Sequence, residues 1–226
     1  MKTKVIGLLI GFFIHCNIYA QKVSNINFDE VKQLTQDSNS PYFFPKLLSR
    51  FIIADTTLTQ KEFSLLYYGN SYQKSYSPYG NSDKKDEFYK FYNKKNYKEA
   101  IPIGEKILSE NAINLKMSFK LLVCYNELGD TLMAKKFARR YFPLLRVIYH
   151  SGDGKSIETA YVVINVDDEY QLLQNEDLES TGQSLIGVTD KLTINTTNQK
   201  EEPIIKELYF NVSRPFAYLT EQFNKK

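Results

Sequence analysis

Tryptophan is absent from this 226-residue chain, and cysteine and histidine occur only twice each. One of each, His15 and Cys16, falls in the apolar N-terminal stretch, which leaves His150 and Cys124 for the body of the protein. A single cysteine forms no intramolecular disulfide, and one histidine with one cysteine builds neither a multi-histidine nor a Cys/His zinc site. No metal and no cofactor is therefore expected. Charge of one sign is scarce as well: 29 basic residues stand against 26 acidic ones, a formal net charge of +3. Without a basic surplus to neutralise phosphates, nucleic acid is a poor partner. Long hydrophobic runs are also missing. The apolar stretch at residues 5–14 is too short to cross a bilayer.

That stretch reads as an export signal. Lys2 and Lys4 form a basic start, the apolar run follows, and Ile18-Tyr19-Ala20 offers a small residue for cleavage before Gln21. Lipid attachment at Cys16 is set aside, because His15 stands where lipoprotein signals need a small side chain. Residues 1–20 are thus expected to be removed. Residues 21–226 then form one domain, mainly helical over 21–150 and mainly β over 151–226. Cleavage takes two basic residues away, so the mature charge is 27 minus 26, or +1. No transmembrane segment is expected afterwards, and the location is periplasmic or secreted.

What the chain does have is a helical repeat. Two phrases align 34 positions apart: Tyr97 over Thr131, Ala100 over Ala134, Leu108 over Phe142. Phe119, Leu122 and Tyr125 recur at helical spacing, as do Met133, Phe137 and Tyr141. The period resembles the tetratricopeptide repeat. It implies helical hairpins over residues 86–149, with a kink at Pro102. Two hairpins cannot close a core alone, so flanking segments must cover them. Thr59 with Glu62 reads as a capping box opening a helix through Leu66.

After residue 150 the period changes. The β-branched run at 157–166 is apolar on both faces and reads as a central or helix-covered strand. Residues 184–188, 191–196 and 204–212 read as further strands, with a turn at Asp190 and a polar loop at 198–202. Pro215 opens a last helix carrying Phe216, Leu219 and Phe223. Helices first and strands later indicate α+β: an N-terminal helical part, a small antiparallel sheet and a C-terminal helix.

Three stretches could carry chemistry. The first holds Tyr67, Tyr68, Tyr72, Tyr76 and Tyr79 in a Gly- and Pro-punctuated segment. Tyrosine joins a ring face to a hydroxyl, so these residues are a candidate binding surface, or else a cover for the exposed end of the hairpins. The second is the polar turn containing His150, Asp153, Lys155 and Glu158. Its Gly-Asp-Gly-Lys-Ser order suggests a phosphate loop, but Tyr149 stands where the framing glycine belongs. A structural turn, with Gly152 in the left-handed position that ends a helix, fits better. The third is Asp167-Asp168-Glu169, which lacks calcium-loop spacing and reads as a solvated turn. Cys124, inside an apolar run, reads as a buried thiol.

Taken in order, Tyr42-Phe43-Phe44-Pro45-Lys46-Leu47, Asp55-Thr56-Thr57-Leu58-Thr59, Leu66-Tyr67-Tyr68-Gly69, Ser151-Gly152-Asp153-Gly154-Lys155-Ser156, Glu169-Tyr170 and Leu208-Tyr209-Phe210-Asn211-Val212 resemble the family catalogued as domain of unknown function 4919. Its members are exported proteins of Bacteroidetes bacteria. The resemblance implies a Gram-negative envelope location and carries no known activity. The function expected is a protein- or peptide-binding or scaffold module with an envelope partner. The alternative is a hydrolase using carboxylates near the turn at 151–158.

If the N-terminal reading holds, protein recovered from the envelope or medium begins at Gln21. N-terminal sequencing and intact mass check this, and material still starting at Met1 would sink it.

Overall fold

The computed structural model describes residues 26–79, 83–196 and 206–223. The expected signal segment and the polar loop at 198–202 lie outside the described residues.

Three N-terminal helices come first: α1 (Phe28–Gln36), α2 (Phe44–Ile52) and α3 (Gln60–Gly69), with a 3-10 turn at Asn70–Tyr72. The Thr59–Glu62 capping box is formed in both directions. Glu62 also receives Arg50, which reaches Asp55 at 2.7 Å, so α2, its following loop and the start of α3 are tied together. The helix runs through Gly69, past Leu66, and this places Tyr67 and Tyr68 on its last turn.

Four helices then pack consecutively: α4 (Lys85–Tyr92), α5 (Tyr97–Glu110), α6 (Leu115–Glu127) and α7 (Thr131–Ser151). Helix α5 continues through Pro102, and α7 through Pro143. The buried face of α6 is Leu121, Cys124 and Tyr125 with Leu115 and Met117, while Phe119 and Leu122 are only partly covered. The Cys124 thiol is buried as expected, and burial pushes it up to about 11.

The β region departs most from expectation. Only Tyr161–Val162 of the run at 157–166 forms a strand, β1. Helix α8 follows three residues later, at Val166–Asn175, and stands between β1 and the next strand. Strands β2 (Leu178–Ile186), β3 (Thr189–Thr196) and β4 (Glu207–Asn211) follow, then helix α9 (Ser213–Phe223). The sheet order is β1-β4-β3-β2. It is mixed, because β1 and β4 are joined by a long crossover and run parallel, while the other pairs are antiparallel. The β2–β3 turn is centred on Gly187, with φ +62°, and Asp190 belongs to β3. The fold is α+β.

Two apolar clusters result. The larger joins α1–α3, the C-terminal half of α7, α8 and the sheet. The smaller fills the hairpins, around Phe88, Ile107, Leu121 and Phe137.

The α7–β1 connection is close-packed. The amides of Asp153 and Gly154 both donate to Thr159 O, at 2.9 and 2.8 Å. Gly152 is extended, not left-handed; the left-handed residue is Gly154, with φ +67°. What Gly152 supplies is room, since a Cβ there would lie 2.4 Å from the carbonyl oxygens of Thr159 and Ala160. Gly152→Ala should therefore cost about 1–3 kcal/mol, the usual penalty of overpacking. Lys155→Ala, at an exposed position, should stay within about 0.5 kcal/mol. Equal urea midpoints for the two variants would refute the close-packed turn.

Candidate functional site

The tyrosines divide. Tyr67 and Tyr68 are fully buried and Tyr76 is 3% exposed, so none of these three forms a surface. Nor do they cover the hairpins: all three belong to the larger cluster, against the sheet and α8. Tyr72 is half-buried, its ring under the Arg214 guanidinium of α9 at 4.4 Å and its hydroxyl donating to Phe28 O at 2.9 Å. Tyr79 alone is exposed.

The buried three share one task. Residues 161–164 pair with β4 on one edge, where the Val163 amide donates to Asn211 O at 3.2 Å. On the other edge, side chains stand where another strand would be. Tyr68 Oη donates to Val162 O at 3.2 Å and Tyr76 Oη to Ile164 O at 2.6 Å. The Val162 amide donates to Ser151 Oγ at 2.8 Å, and the Ile164 amide to Tyr67 Oη at 3.3 Å.

Tyr67 Oη in turn donates to Asp168 Oδ2 at 2.6 Å. The acidic run is thus not a solvated turn but the first turn of α8. Asp167 faces outward to Lys85 and Lys116, at 3.3 and 3.1 Å. Asp168 and Glu169 face inward, at 2% and 0% exposure. Leu172 and Leu173 follow them at i+4 on the same buried face. That spacing was available in the sequence, but extending the preceding strand to Val166 hid it.

Burial pushes the Asp168 carboxyl up to about 7, opposed by the Tyr67 hydrogen bond. Burial likewise pushes Glu169 up to about 9, with further repulsion from Asp190 and Asp168. Asp190 lies beside Glu169 and accepts from Gln183 Nε2 at 2.9 Å, yet neither Glu169 oxygen has a hydrogen bond of ordinary geometry. A protonated Glu169 resolves the conflict, since it removes the buried charge.

The polar turn is tied to the sheet through its backbone, where Gly154 O accepts from the Tyr209 amide of β4 at 2.9 Å. His150, Lys155 and Glu158 are exposed and Asp153 is half-buried. Asp153 Oδ1 accepts from the Lys155 amide at 3.1 Å. Hydrogen bonds hold the carboxyls of Asp153 and Glu158 below the ordinary range, opposite to what a general acid needs.

A different region forms a groove of about 580 Å³. Its walls come from α2 (Phe44, Leu48, Ile52), the end of α5 (Leu108) and α7 (Phe137). Asn70, Gln73 and Asn111 add amide groups. Arg140 also lines it, 5% exposed, its guanidinium over the ring of Phe51 at 4.9 Å and over that of Phe137 at 5.3 Å. Nη2 donates to Ala112 O at 2.9 Å, and Nε has no partner. Burial pushes the guanidinium down to about 10, still charged at neutral pH. Sequence reasoning missed this groove, because its walls converge from helices about ninety positions apart. Among the described residues no His/Cys/Asp/Glu group has metal-site geometry, and no helix is long and apolar enough to cross a membrane.

Two measurements probe the buried carboxyls. Free carboxyls titrate near 4, and the native state holds these protons to higher pH. Below about pH 4 their stabilising contribution is complete, and it is lost as pH rises through about 7 for Asp168 and about 9 for Glu169. The melting temperature should therefore fall between about pH 5 and pH 9. Glu169→Gln should flatten that slope and exceed the parent at the alkaline end; parallel curves would refute the assignment. Tyr67→Phe should cost about 1–3 kcal/mol by leaving buried groups unpaired, whereas Tyr79→Phe should be neutral.

No curated protein and no solved structure matches the chain. One family model does, over residues 29–220, a span that includes the Tyr67–Asp168 pair and the Arg140 groove. The chain belongs to the DUF4919 family, a domain of unknown function.

Proposed function

We propose that the protein is a protein- or peptide-binding module of the bacterial envelope, exported by its N-terminal segment. The observation that carries the binding part is the open groove between α2, α5 and α7. Its walls are mainly apolar, its amide side chains suit a peptide backbone, and Ile52 on its edge is 43% exposed. Apolar clefts with a few placed polar groups are how ligands and peptides are held. Helical hairpins similar to tetratricopeptide repeats support the same reading. The basic start and short apolar run at residues 2–14 support export.

A carboxylate hydrolase finds less support. The acids at 151–158 are held ionised, and the two whose protons are retained are sealed behind α8 packing.

Selection of peptides from a random display library on the immobilised protein tests the binding reading. Apolar sequences should be enriched, and Ile52→Glu should weaken them by about tenfold or more without lowering the melting temperature. Val188→Glu, on the exposed β2–β3 turn, should leave them unchanged. Enriched peptides that bind all three proteins equally would place binding elsewhere.

A further inference from the structure

We infer that Arg140 reads a carboxylate, and that the groove's occupant is an extended apolar peptide held by its C-terminal end. This rests on the peptide-binding reading and names the chemistry of its ligand.

The argument begins with an electrostatic deficit. A buried guanidinium costs free energy unless it is paired. Arg140 presents a fork of five donors, yet among the described residues it makes one hydrogen bond, to Ala112 O, and its Nε is unpartnered. Among the described residues no carboxylate forms an ion pair with it. Glu105, the acid whose field reaches it, instead accepts the Tyr125 hydroxyl at 2.7 Å. The Phe51 and Phe137 rings pack against the guanidinium, and burial limits its movement before any ligand arrives. A planar, charged, preorganised fork lining an apolar groove matches a carboxylate, whose two oxygens accept parallel hydrogen bonds.

The surroundings select among anions. Glu105 and Glu110 line the groove from α5 and Lys136 lines it from α7, so beside Arg140 the acids outnumber the one other cation and repel a doubly charged phosphate or an acidic run more than a single carboxylate. Arg140 is only 5% exposed, so the anion must reach a buried group. A chain end descends from one side, with its last apolar side chains on Leu48, Leu108 and Phe137. An internal Asp or Glu would have to seat main chain in the groove on both sides of the buried carboxylate, where a chain end seats it on one.

Fluorescence anisotropy with the purified protein tests this. The probe is a labelled octapeptide ending in Leu-Phe-Leu with a free carboxylate. It is compared with its C-terminal amide and with an amidated version carrying an internal Asp. The free acid should bind at least about tenfold more tightly than either amide. Arg140→Lys and Arg140→Gln should lose that preference, and Lys155→Gln, exposed on the polar turn outside the groove, should keep it. Should both Arg140 variants fail to fold, Ile52→Glu, exposed and on the same groove, must still weaken the free acid. Equal affinity for acid and amide, with Ile52→Glu weakening both, would overturn the carboxylate inference and leave peptide binding standing. An internal-Asp amide as tight as the free acid would overturn the chain-end reading. Binding of no peptide, or of decanoate alone, would overturn both.

Discussion

The structure depends on how one extended segment satisfies its backbone. Residues 161–164 cross the protein interior with a strand on one side and none on the other. Unpaired buried amides and carbonyls cost about as much as lost hydrogen bonds, so this edge needs partners. Three tyrosine hydroxyls and a serine supply them, from α3, the segment after it and the end of α7. The same contacts bind the N-terminal helices to the C-terminal sheet. Edge strands are commonly protected by charge, proline or a covering helix; here side-chain hydroxyls stand in for a neighbouring strand.

That arrangement explains the acids of α8. Tyr67 uses its oxygen as acceptor for Ile164 and its proton as donor to Asp168. Asp168 is therefore drawn into the core with its neighbour Glu169, and the helix that carries them begins immediately after the extended segment. A cluster with raised proton affinity follows from folding requirements and needs no catalytic purpose. Raised carboxyl pKa values are associated with active sites, but burial alone produces them.

Local signals in the sequence were dependable. The Thr59–Glu62 capping box, the helices over residues 86–149, the strand at 191–196 and the buried thiol at Cys124 each follow from neighbours within a few residues, whereas β2 starts earlier than expected and its turn lies at Gly187, not Asp190. The failures share a cause. The run at 157–166 is apolar on both faces because side chains from distant segments enclose it, not because strands flank it. Asp168 and Glu169 looked solvent-facing because acidic residues usually are; only a partner 101 positions away makes Asp168 a core residue. The candidate groove was illegible for the same reason. Nothing near Arg140 in sequence says that Phe51 will lie against its guanidinium.

The two apolar clusters meet at that guanidinium. Phe51 belongs to the larger cluster and Phe137 to the smaller, and Arg140 packs against both. Such clusters tend to open as separate cooperative units, each with its own free energy. The groove straddles the seam, with Phe44 and Ile113 from one side and Leu108 and Phe137 from the other. A peptide bound there as proposed would touch both units at once and act as a rivet, so that neither would open without first shedding it.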